Sequence, residues 1–428
     1  MKLESLGKPT VTVVTDEFLT LAKAEAEVRG LENLRLIKVP HPVGSLSLDE
    51  LKSLAHSTFE PVIDALTSDK DFLGPSDSGT TVEEVQSEQI LRVPASPGEI
   101  FQYFSERGWT DGLPIIPPTK EAVDAMIEAS GKKGDDLLGI IPPLNGQATV
   151  EKVAINAVMA GCEPKFVPVV MAALRCILLP SFNLSAVQTT TGNVTPLFIV
   201  NGPCRHSLNI NYSYNVLGQG WRANATIGRA IRLILTNIGG GIPGVYDKAT
   251  LGQPAKYTFC IAENEAESPW EPLHVERGFD RQINTVTAFG CSGILSIVDK
   301  ASKTAEGLLT TAATAISGGG VSMCSWPSEA LIIIGPQHAA IFRRDGYKKQ
   351  DIRQVLFERA RLPHEKFSEE NLELIAKRRP RWFRAGEKRE IPVVDSPEDI
   401  WIVVAGGKGT KSAFIPSFKD AKMTTATI

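Results

Sequence analysis

Residues 9–67 alternate short β-branched runs with helical stretches, and the alternation then stops. PTVTVVT (9–15) has the composition of a buried strand, and DEFLTLAKAEAEVRG (16–30) that of a helix that Asp16 can cap and Gly30 can end. NLRLIKVPHP (33–42) is a second strand running into a turn, and SLDELKSLAHSTFEPVIDALT (47–67) a second helix. A β-α-β-α unit is the mark of an α/β layer, but this one is too short to be a complete domain. Residues 68–91 are polar, acidic and turn-rich, which predicts a linker.

A second, larger region begins near residue 92. SPGEIFQYFSERG (96–108) predicts a helix with Ser96 as cap and Pro97 at its first position. WTDGLPIIPPT (109–119) is excluded from regular structure by its three prolines. Helices follow at 119–130 and 149–161, each opened by threonine and closed by glycine, then an apolar helix at 164–179. Strands are expected at 196–202, 256–263, 293–298 and 330–335, with a strand and glycine turn at 400–409. Helices are expected at 224–241, 302–316, 337–345 and 348–361. The fold class is therefore α/β: an incomplete α/β-layered unit at 1–67, a linker at 68–91, and a large mixed α/β (α+β) domain at 92–428.

The 428 residues carry a net charge of −4, so nothing points to nucleic acid or an anionic membrane as a partner. The longest apolar run, FVPVVMAALRCILL (166–179), is shorter than the ~20 residues of a membrane span. MKLESLGKPTVTVV has no export-type apolar run. Six dispersed cysteines without a CxxC pair fit reduced thiols, and a cytoplasmic protein is the expectation.

The richest chemistry lies in AENEAESPWEPLHVERG (262–278). The strand KYTFCIAE delivers this proline-bent loop, a common way to place site residues on a scaffold. Glu263, Glu265, Glu271, His274, Glu276 and Arg277 could supply an acid/base pair and an anion clamp. The alternative is a capped, salt-bridged surface loop. Glu271-x-x-His274 is half of a di-iron pattern, but Pro272 interrupts it, so a metal is neither assigned nor excluded. In WTDGLP, Thr110, Asp111 and the backbone of Gly112 could bind a polar substrate end, or the segment is a domain-entry turn anchored by Trp109. Asn201 ends a strand. Asn224 opens WRANATIGRA's helix, where Arg222 and Arg229 would favour an anion, against the alternative of an ordinary buried helix start.

GGKGTKS (406–412) follows a strand and could cradle a phosphate, although it is not a Walker motif. No cofactor is identified. Cys162, Cys291 and Cys324 could be nucleophiles if their pKa values were lowered; buried, inert thiols are the commoner case. RRPRWFRAGEKRE (378–390) is expected to be a solvated basic face.

Taken together, VVTDEF, VPHP, WTDGLPIIPPT, VMAGCEP, NGPCR, RANATIGRA, GQPAKYTFCIAENE and SPWEPLHVERGF resemble the UGSC-like family, named after a selenocysteine/cysteine-Gly-Ser-Cys motif. The resemblance implies a thioredoxin-like first domain with that motif in a loop after an initial strand, suited to redox or thiol-nucleophile work. It carries over no reaction. In the family the motif precedes the VVTDEF strand; here only MKLESLGKP does, so the first β-α unit is expected to be missing. Either the chain starts at an internal methionine, or a separate subunit supplies that half, or it has been lost. GCSG (290–293) is not the motif.

The functional expectation is an enzyme acting on a small polar or anionic substrate. His274 with Glu271 or Glu276 is the acid/base pair, Glu263 and Asp111 assist, and Thr110, Gly112, Asn201, Asn224, Arg229 and Arg277 bind substrate. Thiol or redox chemistry would depend on the missing motif. A lyase or hydrolase self-contained in the large domain is one alternative, and a non-catalytic binding or assembly subunit another. An uncovered sheet edge at 1–67 leads to an expected homo-oligomer, or a partner supplying the missing half-domain.

Overall fold

The structure, a computed structural model, describes residues 3, 8–31, 33–67, 90–93, 96–325, 329–382, 390–418 and 421–428. The linker expectation for 68–89, most of MKLESLGKP, Trp326 and Pro327, and 383–389 of the basic stretch lie outside them.

Strand β1 (Thr12–Thr15) pairs in parallel with β2 (Leu36–Val39), with the helices Leu19–Val28 and Leu48–Thr67 alongside. Ala26, Leu34 and Leu36 form a small core of their own. The later strands are β3 (Leu137–Ile141), β4 (Gly146–Thr149), β5 (Thr195–Asn201), β6 (Cys260–Ala262), β7 (Thr285–Cys291), β8 (Leu295–Val298), β9 (Ala330–Ile334), β10 (Arg361–Pro363), β11 (Glu390–Pro392), β12 (Ile400–Val404), β13 (Lys411–Pro416) and β14 (Thr424–Thr427). Two mixed four-stranded sheets dominate, in the orders β14-β7-β5-β6 and β12-β9-β13-β8.

Side-chain alternation along the strands builds three cores from these two sheets. Phe198, Val200, Val286 and Ala288 face the helices Val150–Ala160, Val167–Leu178 and Arg222–Asn237. Their neighbours Leu197, Ile199, Ile261 and Phe289 face the second sheet, meeting Leu331, Ile333, Val403 and Ile415. Ile332, Ile334, Ile402, Val404 and Phe414 then face the helices Ala305–Ser317, Pro336–Arg344 and Lys349–Arg359. The result is a helix–sheet–sheet–helix sandwich. Burial on both faces explains why the middle of TPLFIVN and all of ALIII are apolar without alternation.

Thr119 and Thr149 cap their helices as expected, accepting from Ala122 N–H and Lys152 N–H. Gly131 and Gly161 close them in left-handed geometry, at φ 66° and 89°. Three expectations need correction. The strand at 256–263 shrinks to Cys260–Ala262, because Pro254–Lys256 is a 3-10 turn. The helix expected from Asn224 begins at Arg222 and ends at Asn237. The strand and glycine turn at 400–409 do not close the chain's fold: β13 and β14 follow and take places in both sheets.

Among the described residues no single helix is long and apolar enough to cross a membrane. Pro164–Leu178 and Pro180–Thr189 are together apolar enough but are bent by 71°, and Val169, Ala172, Cys176 and Ile177 are buried in the core.

Candidate functional site: a buried carboxyl–amide cluster

The parallel strands β5 and β6 end side by side, with Val200 in register with Ala262. The carboxyl end of such a pair is where α/β sheets commonly bind ligands. Asn201 is the last residue of β5 and Glu263 the first beyond β6, and both are fully buried. Asn201 Nδ2 donates to Glu263 Oε2 at 2.6 Å and to Glu265 Oε1 at 3.2 Å. Leu273 N–H also donates to Glu263 Oε2, at 2.8 Å. Glu265 accepts from Gly202 N–H at 2.8 Å and pairs with Arg205 at 3.0 Å. The Arg205 guanidinium is held in turn by the carbonyl of Gly202 at 2.7 Å.

Several buried atoms of this cluster have no hydrogen-bond partner: Glu263 Oε1, Asn201 Oδ1, Arg205 Nε, His274 Nδ1 and Thr285 Oγ1. Thr285 lies directly across from Asn201 in the β5–β7 register. Buried polar atoms are rarely left unpaired, which sets these residues apart from most of the interior. Burial pushes the Glu263 carboxyl above the ordinary range; Lys349, Leu273 N–H and Asn201 oppose this, and Glu265 adds to it. A raised carboxyl at a strand end is the form a proton donor takes.

His274 sits on the short helix Leu273–Glu276, fully buried. Its Nε2 lies 3.2 Å from the carbonyl oxygen of Arg281. A carbonyl only accepts, so this contact calls for a proton on Nε2. The expected acid/base pairing of His274 with Glu271 or Glu276 is not formed. Glu271 is exposed and pairs with Arg281. Glu276 faces away to Lys349 at 2.6 Å and Arg353 at 2.9 Å. Glu271 lies before Pro272, outside the helix, while Glu276 shares the helix with His274 but is taken up by the two cations.

The other expected substrate-binding groups are engaged elsewhere. Arg277 donates to the carbonyl of Met423 at 3.1 Å and lies over the Trp401 ring. Asp111 and Arg229 form a two-pronged ion pair, with both contacts at 2.8 Å. Arg229 also holds the carbonyls of Leu113 and Pro114, so the pair straps WTDGLPIIPPT onto the helix Arg222–Asn237. The Thr110 hydroxyl accepts Gly112 N–H at 3.1 Å, a self-closed turn in which Gly112 takes φ 88°. Asn224 lies inside its helix and is saturated by Asn211 N–H, the carbonyl of Asn211 and the carbonyl of Cys260. Arg222 is tied to Glu163 and the carbonyl of Gly161. The side chains at that helix start thus make packing and strapping contacts within the chain.

Arg205 and Thr285 were not singled out by sequence reasoning. Arg205 had a signal, since NGPCR places a cation four residues beyond a strand-ending asparagine; Thr285 had none.

The cysteines also depart from the nucleophile reading. All six are free and buried, and burial raises every one of their pKa values. No three His, Cys, Asp or Glu side chains among the described residues gather as a metal-holding set.

At the other end of the chain, the segments VVTDEF and VPHP meet. Asp16 Oδ1 accepts Glu17 N–H at 2.9 Å and His41 N–H at 3.1 Å. The Thr15 hydroxyl lies 3.2 Å from His41 Nδ1. Residues 1–68 match the UGSC family. In this UGSC segment, Thr15, Asp16 and His41 tie the end of β1 to the turn after β2. The match ends before the carboxyl–amide cluster, which lies entirely in the later part of the chain. No curated protein matches the chain.

Proposed function

We propose that the chain is an enzyme acting on a small polar or anionic substrate, with Glu263 as the proton-transferring group. One observation carries this reading: Glu263 Oε1 and the amide oxygen of Asn201 are both buried and unpartnered where β5 and β6 end. Asn201 Oδ1 can only accept, and Glu263 Oε1 can donate only when protonated. A polar substrate reaching protonated Glu263 would receive its proton, and the carboxylate would take one back. Arg205, beside Glu265, supplies the positive charge for an anionic substituent. His274 Nδ1 is a second acceptor, and it acts without Glu271 or Glu276. We further read 92–428 as the substrate domain and 1–67 as a separate α/β unit, in keeping with the separate core around Ala26 and Leu36.

The test is calorimetric titration of the full chain with a panel of small carboxylates and amides in two buffers of different ionisation enthalpy. Binding to wild type should differ between buffers, showing proton exchange, and Glu263→Gln should remove that difference. A panel that does not bind, or a buffer dependence unchanged in Glu263→Gln, overturns the reading.

A second reading, an assembly subunit, is favoured by one surface. The helix Leu48–Thr67 leaves Leu48, Leu51, Phe59, Ile63 and Leu66 exposed along one side. The two-stranded parallel sheet beside it is too small to be stable on its own. A second copy of the chain covering this side should give a dimer by light scattering that Phe59→Glu with Ile63→Glu converts to monomer. A monomeric wild type at micromolar concentration would remove this reading.

A further inference from the structure

The stretch GGKGTKS ends on Ser412, near the start of β13 and in register with Ile334 at the end of β9. Ser412 Oγ lies 2.9 Å from His338 Nδ1. It also accepts Gly335 N–H at 3.2 Å. His338 Nε2 lies 3.2 Å from the carbonyl oxygen of Asp299. Because that carbonyl only accepts, the ring proton resides on Nε2 and Nδ1 accepts from the Ser412 hydroxyl. Asp299 is itself fixed: its carboxylate takes Ala301 N–H, Ser302 N–H and the Thr311 hydroxyl at 3.1, 2.9 and 2.6 Å. A hydroxyl aligned on an imidazole, with the imidazole oriented by a third group, is the nucleophile–base–orienter arrangement. Burial holds His338 below its ordinary pKa, so the ring is neutral and able to take a proton at pH 7.

Two further features suit acyl chemistry. His338 and Ser412 border a cavity of about 20 Å³ whose other walls, among them Leu308, Leu309, Phe342 and Leu356, are apolar. It has room for a tail of one or two carbons and no polar partner for a longer, hydrated group. Gly335 is also the cap of the helix Pro336–Arg344. The first N–H groups of a helix lack intrahelical acceptors, and this helix start adjoins Ser412 through Gly335.

We propose that Ser412 is a nucleophile and His338 its base, in an acyl-transfer site for esters with a short apolar acyl group. Ser412 Oγ bonds to the ester carbonyl carbon as its proton passes to His338 Nδ1. The bond from that carbon to the alcohol oxygen breaks, and the alcohol leaves with the proton. Water then adds to the acyl-serine, giving a proton to the same nitrogen; the carboxylic acid departs and Ser412 takes the proton back. No oxidation or reduction occurs, and water is the only co-reactant. The site is on the second sheet and is independent of Glu263.

The full wild-type chain is treated with a fluorophosphonate reagent and digested for peptide mass analysis, and p-nitrophenyl acetate hydrolysis is measured in parallel. A phosphonyl adduct on Ser412 is expected, with fluoride displaced. Hydrolysis should fall at least about a hundredfold in Ser412→Ala and His338→Gln. The adduct is read on wild type, so a variant that fails to fold does not obscure it. No adduct on Ser412, or an adduct forming at the same rate in His338→Gln, overturns the proposal.

Discussion

Replacing Glu263 with alanine should destabilise the chain by about 3 kcal/mol, while Glu263→Gln should melt at or above the wild-type temperature at pH 7. The alanine figure joins two effects. Leu273 N–H loses its acceptor in a buried place, and a cavity opens where the carboxyl sat. Glutamine keeps an acceptor for Leu273 N–H and Asn201 Nδ2. It also carries no charge. The wild-type carboxyl is raised by burial, so the folded state holds its proton more tightly than the unfolded state does. Stability from this group is therefore full below the unfolded value of 4.5 and is lost as pH rises through the higher folded value. The advantage of Glu263→Gln over wild type should accordingly grow with pH from about 4.5 upward. Chemical denaturation of the three proteins at a series of pH values measures it. A difference that stays flat with pH, or an alanine variant as stable as wild type, would show that Glu263 is not held protonated.

This behaviour turns on a fold only partly legible in the sequence. The threonine-capped helices at 119–130 and 149–161 could be read because capping is a local interaction between residues three apart. The buried strands at 196–202 and 330–335 could be read from unbroken apolar runs. What joins them could not be. Leu197 faces one sheet and Phe198 a layer of helices, and the sequence has the same apolar character on both sides. The glycine-flanked strand at 400–404 was legible, but β14 (TTAT) has too little apolar character to announce a place beside β7. The site was similarly divided. Glu263 and Asn201 were recognisable as polar residues at strand ends, and the β5–β6 pairing puts them together. Glu271, His274 and Glu276 are as close in sequence as a helical acid/base pair would be, and the fold sends them in three directions. Lys349 and Arg353, from a helix more than seventy residues later, claim Glu276. Asp111 and Arg229, 118 residues apart, consume each other. Sequence proximity reveals a carboxylate's neighbours along the chain, but not the cation that tertiary packing delivers to it.

The thiols provide the sharpest contrast between native and unfolded protein. In native protein at pH 7.5, Ellman's reagent should titrate none of the six cysteines within minutes, and all six after unfolding in guanidinium. Attack requires the thiolate. Burial raises Cys204 from 9.0 to about 11, and Cys162, Cys176, Cys291 and Cys324 to about 12. Cys260 is raised further still. Each unit removes about tenfold of the thiolate, so the thiolate population falls by roughly a hundredfold for Cys204, a thousandfold for the four near 12, and more for Cys260. Cys162 and Cys176 are held as donors to the carbonyls of Thr226 and Val286. The arginines nearest Cys162 and Cys204 pull the other way, but less than burial pushes. The outcome bears directly on where chemistry resides. If one thiol reacts quickly in the folded chain, the part of the protein beyond the UGSC segment holds an accessible nucleophile of its own, and the assignment of proton transfer to Glu263 would have to share the site with it. If none does, any thiol chemistry in this protein must be brought to the carboxyl–amide cluster from outside these six residues.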